Sequence, residues 1–263
     1  MIDKLKNIFK GIDKKVKFLD LKKIYLSFYK LLGKFYLLYF NKNQIFSNTH
    51  YTNSNNILCK LSQKYGSDKG WGINEYESSP FVWKPHTFTS FYYSVFDFNR
   101  ENTKLVFECG IGTNNENLKS SMGKHGTPGA SLRVWKDYFQ NGEIYGADID
   151  KDILFNEDRI KTYFVDQLDS ESIKNMWNNI GVKDFDIIID DGLHEVDANL
   201  NFFKNSFDKL RRNGIYIIED VKLFDLNTFK EELKDYNPEI IVLKSKFKNY
   251  YIDNNIILIR KNI

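Results

Sequence analysis

The chain has 263 residues, a formal net charge of +3, 42% hydrophobic residues and 16% aromatic residues. This length and apolar content suffice for one large α/β domain with additions, and they exclude a chain that is disordered throughout. The charge is too small to indicate a nucleic-acid-binding protein. Cys59 and Cys109 have neither the spacing of a zinc site nor that of a redox pair, so we expect a reducing compartment, the cytoplasm.

Residues 1–56 differ in composition from the rest of the chain. The first 46 residues hold eleven lysines against three aspartates, and apolar residues recur there at helical spacing. We therefore expect basic amphipathic helices, followed by an Asn/Ser/Thr-rich linker. The apolar stretches are too short for a signal peptide or a membrane span. Two interpretations stay open: packing on the same domain or on a sister subunit of a homo-oligomer, and peripheral association with the inner face of a membrane.

Residues 57–103 are expected to form helices and a loop that cover the main domain. Lys69 lies in a glycine-flanked turn and is predicted to close over a bound ligand, although a surface turn would explain it equally well. An aromatic stretch follows at 83–93. His86 and Tyr92 are candidates for the wall of a ligand pocket, although aromatic residues at this spacing are also typical of a core.

From residue 104 to residue 263, strand-like apolar runs alternate with segments of helical periodicity. The predicted strands are 104–108, 143–148, 162–165, 184–190, 214–219, 239–243 and 255–259, and the predicted helices are 131–139, 170–177, 196–210 and 226–233. The link between the last two strands is too short for a crossover helix, so this pair should be antiparallel. The pattern predicts a doubly wound α/β sheet of seven strands with a reversed last strand.

The fourth and fifth predicted strands both end in acidic clusters. The fourth ends in Asp190, with Asp191 and His194 just after it, and the fifth ends in Glu219 and Asp220. The carboxyl ends of neighbouring parallel strands, about 4.8 Å apart, meet at one edge of a sheet, so these side chains should converge. Oxygen-rich, thiol-free clusters suit a hard cation such as Mg²⁺. The alternative for His194 is a residue at a helix start that is hydrogen-bonded to a neighbour.

A glycine turn follows the first predicted strand, and an acid ends the second. Glu108 precedes Gly110 and Gly112, but the third glycine of a dinucleotide fingerprint is absent, and so is the Walker pattern. Such a turn with Asp148 suits a nucleoside with free ribose hydroxyls and no phosphates. S-adenosylmethionine is the common cofactor of that kind, and Asp148 is predicted to bind its ribose.

Asp166 and Gln167 follow the third predicted strand and are candidates for binding the adenine. Capping of a strand end would explain Asp148 or Asp166 taken alone. Acids at three successive strand ends favour the cofactor.

Together these motifs resemble a class I S-adenosylmethionine-dependent methyltransferase, which is Rossmann-like in fold. More narrowly, the chain resembles the metal-dependent O-methyltransferases of macrolide deoxysugars, a group that shares sequence with rhamnosyl methyltransferases and so-called cephalosporin hydroxylases. The resemblance covers roughly residues 57–222. It depends on the segments YGSDKG (65–70), ECGIGT (108–113), GASLRVWKDYF (129–139), IYGADID (144–150), DQ (166–167), DDGLH (190–194) and IED (218–220).

The resemblance implies roles for single residues. Asp191, Glu219 and Asp220 would bind Mg²⁺, and His194 would be the general base. The predicted cofactor-binding set is Lys69, Glu108, Gly110, Gly112, Ser131, Asp148, Asp166, Gln167 and Asp190. The first 46 residues lie outside the resemblance and the stretch 71–93 is only loosely similar, so the acceptor pocket, with His86 and Tyr92 as candidates, does not carry over.

The predicted function is Mg²⁺-dependent transfer of a methyl group from S-adenosylmethionine to a sugar hydroxyl, in a bacterial surface polysaccharide such as a capsule or in a glycoside. One alternative keeps the fold but changes the acceptor to a catechol or a phosphate-like oxygen. Another is a non-catalytic scaffold with a degenerate methyltransferase domain. If the chain is an enzyme, the acceptor that it binds is expected to be a small molecule or a glycan.

Overall fold

Strands and helices alternate along most of the chain, and this alternation determines the architecture. The computed structural model describes residues 47–50, 55–71, 85–244 and 253–262, all within the unit Ile45–Ile263. The basic helices expected in residues 1–46 lie outside the described residues, as does part of the expected linker.

Within the described ranges there are nine strands and six α-helices. The strands are β1 (Ser47–His50), β2 (Leu105–Cys109), β3 (Glu143–Asp148), β4 (Asn156–Glu157), β5 (Ile160–Phe164), β6 (Phe185–Asp190), β7 (Leu210–Ile218), β8 (Glu239–Lys244) and β9 (Asn255–Arg260). The helices are α1 (Ile57–Tyr65), α2 (Phe88–Phe96), α3 (Ala130–Tyr138), α4 (Ser170–Ile180), α5 (Val196–Ser206) and α6 (Leu226–Glu232).

These strands form one mixed sheet in the order β1-β8-β9-β7-β6-β2-β3-β5-β4. The five strands β5, β3, β2, β6 and β7 are parallel, and β9 runs antiparallel between β7 and β8. The predicted doubly wound sheet with a reversed last strand is therefore confirmed.

Two edge strands were not predicted from the sequence, which raises the strand number from seven to nine. β1 falls in the expected linker and pairs parallel with β8, and the two-residue β4 pairs antiparallel with β5. Both are short and rich in polar residues, so neither shows the apolar pattern by which a strand is recognised.

Local signals set the ends of α1, which leads into the site. The Asn56 side chain accepts a hydrogen bond from the backbone N–H of Cys59 (2.8 Å), and Gly66 ends the helix with a φ of 76°. α1 packs against α2 and α3. The loop after Gly66 is therefore directed over the carboxyl ends of the central strands.

Aromatic rings fill the core beneath these helices. The ring of Tyr92 lies 5.2 Å from that of Phe96 and 5.6 Å from that of Trp135, measured between centroids. Tyr92 and Trp135 are completely buried. Such packing makes the floor of the site rigid, because a well-packed interior permits little movement. None of the helices formed by the described residues is long and apolar enough to cross a membrane.

Candidate active site

A cavity of about 570 Å³ opens at the carboxyl ends of the parallel strands. This is where ligands bind in open α/β sheets, and the volume is typical of a small-molecule site. Its wall contains twelve of the residues selected from the sequence: Lys69, His86, Gly110, Gly112, Ser131, Asp148, Asp166, Gln167, Asp191, His194, Glu219 and Asp220.

Three other predicted residues lie behind this wall. Glu108, Asp190 and Tyr92 are completely buried and do not line the cavity. Cofactor binding was expected for the two acids and substrate binding for Tyr92; these roles stay predictions, and the structure shows that the three side chains lie behind the wall. Their carboxylate and hydroxyl groups instead hold neighbouring side chains, because strand-end side chains that point into the protein find polar partners there.

The glycine turn after β2 packs directly against the turn after β6. Gly110 has a φ of 84°, and a Cβ at this position would collide with the carbonyl oxygen of Asp191. The backbone N–H of Asp191 donates to the carbonyl of Cys109 (2.8 Å). Glycine is therefore required by the approach of two backbones as well as by the left-handed conformation.

Asp148 caps the same turn and still faces the cavity. Its Oδ2 accepts from the N–H of Ile111 and its Oδ1 from the N–H of Asp150, both at 2.9 Å. Burial raises the pKa of Asp148, and these hydrogen bonds oppose the rise. Each carboxylate oxygen has a second lone pair, so capping leaves acceptor capacity for a ligand diol.

Asp190 anchors the side chain of Gln167. Gln167 Nε2 donates to Asp190 Oδ1 (2.6 Å), Asn199 Nδ2 donates to Asp190 Oδ2 (3.0 Å), and Gln167 Oε1 accepts from the N–H of Leu193 (2.7 Å). Burial raises the pKa of Asp190 to about 6 despite these donors. The loop that carries Asp191 and His194 is held in place by this network.

The ammonium of Lys69 lies among three carboxylates. Its Nζ is 2.6 Å from Asp191 Oδ2, 2.6 Å from Glu219 Oε2 and 2.9 Å from Glu108 Oε1. The Lys69 side chain is 3% exposed. Lys69 was expected to close over a ligand, and it does line the cavity, but its charged end is directed at the strand-end acids.

A second cluster lies beside the first and contains two histidines. His194 Nε2 is 3.2 Å from Asp191 Oδ1 and 3.6 Å from Asp220 Oδ2, and His86 Nδ1 is 3.4 Å from Asp220 Oδ1. Both His194 (φ 56°) and Asp220 (φ 52°) adopt the left-handed conformation. Non-glycine residues seldom do so, and such strain is common at functional sites.

Two groups of side chains among the described residues could hold a metal ion. One is Asp191, His194 and Asp220, and the other is Glu108, Asp191 and Glu219, with the ligand atoms of each group within 4.8 Å of one another. The predicted ligands are thus divided: Asp191 belongs to both groups, Glu219 to one and Asp220 to the other. These oxygen-rich donor sets suit Mg²⁺, and within the described part of the chain Asp220 Oδ1 accepts no hydrogen bond.

The electrostatics of the site also favour an additional cation. Burial would raise the pKa of Asp191, but the charge of Lys69 and the hydrogen bond from His194 lower it to about 2. Burial raises the pKa of Asp220 to about 6 and that of Glu219 well above its usual value. Acids in the site outnumber its bases, so a further positive charge would be stabilised there.

His194 is protonated at neutral pH in this arrangement. Burial alone would lower its pKa, but the charge of Asp220 and the hydrogen bond to Asp191 raise the pKa to about 10. A cation shared by these carboxylates would weaken their effect and lower this pKa. The protonation of His194 and the occupancy of the cation site are therefore linked.

Some residues of the cavity wall were not selected from the sequence. They include Asp253, and Thr113 and Met122 on the loop after β2. Asn254, next to Asp253, joins this end of the chain to His86, since its Oδ1 lies 3.2 Å from His86 Nδ1. No spacing pattern connects residues so far apart in sequence, so only the fold brings them to one site.

The chain is similar to methyltransferases of antibiotic pathways. It is 33% identical over 165 residues to 8-demethyl-8-alpha-L-rhamnosyl tetracenomycin-C 2'-O-methyltransferase of Streptomyces olivaceus. The matched stretch covers 63% of this chain and 38% of that protein. It is 37% identical over 138 residues to mycinamicin VI 2''-O-methyltransferase of Micromonospora griseorubida. Here the matched stretch covers 52% of this chain and 32% of that protein. No protein-family model matches the chain.

A solved structure agrees with the sequence relatives. The MycE methyltransferase from the mycinamycin biosynthetic pathway, in complex with Mg and SAH, superposes with a TM-score of 0.57 at 26% identity, covering 80% of this chain and 56% of that one. The chain spans well under half the length of the curated relatives it matches and just over half of MycE. The resemblance predicted from the motifs is confirmed at the level of fold and relatedness: the chain has the class I methyltransferase fold and is related in sequence to sugar O-methyltransferases.

Proposed function

We propose that the chain transfers the methyl group of S-adenosylmethionine to a hydroxyl of a sugar, with Mg²⁺ in the acidic site. The observation that carries this proposal is the pairing of His194 with Asp191 and Asp220 in the wall of the cavity, 3.2 and 3.6 Å away. The identity with the sugar O-methyltransferases supports it, as does the MycE complex with Mg and SAH.

The cofactor would lie along the part of the cavity that is lined by Gly110, Asp148 and Gln167. Gly110 and Gly112 line this part of the cavity, Asp148 retains lone pairs for a ribose diol, and Gln167 and Asp166 lie in the wall further along. These positions leave the end of the cavity near His194 and His86 for the acceptor.

Residues of this chain would remove the proton of the acceptor hydroxyl. With Mg²⁺ sharing the carboxylates and the ring neutral, His194 would accept that proton, and the charges of Asp220 and Asp191 would stabilise the imidazolium that forms. The ring is held by these carboxylates, so the hydroxyl and the base are oriented before reaction. S-adenosylmethionine would supply an activated methyl group, and Mg²⁺, held by Asp191 with Glu219 or Asp220, would supply a positive charge that makes the acceptor hydroxyl more acidic.

His194→Asn tests the base. Asparagine tolerates the left-handed conformation of residue 194 better than alanine would, so the substitution removes the base with little added backbone strain. We expect turnover of a rhamnosyl or macrolide acceptor, measured with methyl-labelled S-adenosylmethionine, to fall about 10²- to 10⁴-fold. Binding of S-adenosylmethionine, measured by calorimetry, should stay within a few-fold.

His125→Asn is the matched control, because His125 is exposed and does not line the cavity. It should leave turnover unchanged. If His194→Asn retains near-normal turnover, His194 is not the base. If the wild-type chain binds S-adenosylmethionine and transfers no methyl group to sugars, the acceptor class is wrong.

We further propose that the acceptor is a glycoside or a surface polysaccharide of a bacterium. The relatives' names favour glycosylated antibiotics, and the lysine-rich residues 1–46 led to the expectation of glycan assembly at the inner face of a membrane. Assays with both acceptor classes would separate them. A location in the cytoplasm and assembly into a homo-oligomer also stay predictions.

A further inference from the structure

The buried ammonium of Lys69 occupies a cage of three acids. Its Nζ lies 2.6 Å from Asp191, 2.6 Å from Glu219 and 2.9 Å from Glu108. These acids come from the ends of β6, β7 and β2, which are adjacent in the sheet. The ammonium donates hydrogen bonds to Asp191 and Glu219, and it forms an ion pair with Glu108.

The other oxygen of each carboxylate faces a different partner. Trp135 Nε1 donates to Glu108 Oε2 (2.9 Å), and the Tyr92 hydroxyl donates to Glu219 Oε1 (2.5 Å). Asp191 Oδ1 is 3.2 Å from the ring of His194. The cage is therefore held from both sides, and its carboxylates cannot easily turn away from the ammonium.

The backbone of Lys69 is fixed as well. The N–H of Ser67 donates to the carbonyl of Ser62 in α1 (2.9 Å), and the N–H of Thr89 in α2 donates to the carbonyl of Lys69 (3.2 Å). The ammonium thus joins the two covering helices to the strand ends. Its position results from the packing of the fold.

Asp191 and Glu219 are also two of the acids expected to hold Mg²⁺. Two positive charges a few ångströms apart repel each other strongly even at an effective dielectric constant of about 20. We propose that Lys69 is a built-in counter-ion that stabilises the metal-free protein and competes with the divalent cation for Asp191 and Glu219. This inference shares the cation site with the proposed function but does not depend on methyl transfer.

Lys69→Met tests the competition. The chain, freed of metal with EDTA and desalted, is titrated with Mg²⁺ in a calorimeter. We expect the dissociation constant for Mg²⁺ to fall by about tenfold or more, because the acids lose their resident positive charge. The melting temperature without metal should fall, and Mg²⁺ should raise it further in the variant than in the wild type.

Lys64→Met is the matched control, because Lys64 is an exposed lysine at the end of α1, paired with Asp137. It should leave the Mg²⁺ affinity unchanged. Unchanged or weaker Mg²⁺ binding by folded Lys69→Met overturns the proposal, and so does a result in which neither the variant nor the wild type binds Mg²⁺. Intact Mg²⁺ binding in a wild type that transfers no methyl group counts against the proposed function alone.

A second measurement covers the case in which Lys69→Met does not fold without metal. The folding of the variant is then followed by circular dichroism while Mg²⁺ is added. We expect Mg²⁺ to restore the folded state, because the divalent cation replaces the missing positive charge and binds only the folded chain. A Lys69→Met chain that stays unfolded at saturating Mg²⁺ refutes the proposal.

Discussion

At the scale of single residues, the acids of the site depend on side chains that do not face the cavity. Tyr92 is completely buried, and burial raises the pKa of its hydroxyl well above the usual value, so the hydroxyl keeps its proton and donates to Glu219. Trp135 donates in the same way to Glu108. The aromatic core therefore contributes to the charge balance of the site as well as to its packing.

Tyr92→Phe should measure this contribution. The substitution keeps the ring but leaves Glu219 Oε1 buried without its donor, which should cost about 1 to 3 kcal/mol of unfolding free energy. Urea denaturation followed by circular dichroism gives the value. Tyr138→Phe is the control, because the Tyr138 hydroxyl lies 3.3 Å from the partly exposed Asp97, and its loss should cost about 0.5 kcal/mol or less. Equal costs for the two variants would contradict the role of Tyr92.

At the scale of strands and helices, stability and function lie at opposite ends of the parallel strands. At the amino end of β6, Asp186 Oδ2 accepts from the backbone N–H groups of Lys104 (2.7 Å) and Leu105 (2.9 Å). Its other oxygen accepts from Arg211 of β7. One carboxylate thus aligns three neighbouring strands, while the carboxyl ends of the same strands carry the cavity.

Asp186→Ala should therefore lower stability without affecting the site. Loss of charge-assisted hydrogen bonds to two backbone donors should cost about 2 to 4 kcal/mol of unfolding free energy, measured by chemical denaturation. The affinity of the folded variant for S-adenosylmethionine should stay within about twofold, as free energies of distant sites add independently. Asp208→Ala, at an exposed aspartate, is the control. A large loss of cofactor affinity in Asp186→Ala would show that the two strand ends are coupled.

At the scale of the whole molecule, ligand binding should raise the melting temperature of the chain. A ligand that binds only the folded chain stabilises it by about 2.7 kcal/mol at a hundred times its dissociation constant. For a chain of this size we expect Mg²⁺ or S-adenosylmethionine to raise the melting temperature by about 5 to 10 °C. Differential scanning calorimetry with and without EDTA gives the two shifts separately.

Asp191→Asn should remove the shift caused by Mg²⁺ and retain most of the shift caused by S-adenosylmethionine. Asp191 belongs to both candidate metal groups found among the described residues, so neither of these groups remains intact without it. A wild-type chain that responds to the cofactor and not to Mg²⁺ at millimolar concentration would argue for methyl transfer without a metal.

Much of the fold could be predicted because the buried positions of a strand or helix are apolar and recur at a regular spacing in the sequence. β6 is buried along its whole length, and its run of isoleucines shows this without any knowledge of its neighbours. The acids at the strand ends could be predicted for the same reason, since a polar residue just after an apolar run marks where a strand leaves the core. The edge strands β1 and β4 could not, because they are short and polar.

The apolar runs and the acids that follow them were enough to predict the parallel sheet, its reversed last strand, and the gathering of acids and His194 at one edge. Three features follow from the packing of distant segments: Lys69 lies among acids 122 and 150 residues away, the expected metal ligands divide into two groups, and Glu108 and Asp190 lie behind the cavity wall. The physical reason is that periodic patterns report local burial, whereas the partner of a buried charge depends on which distant segments pack together.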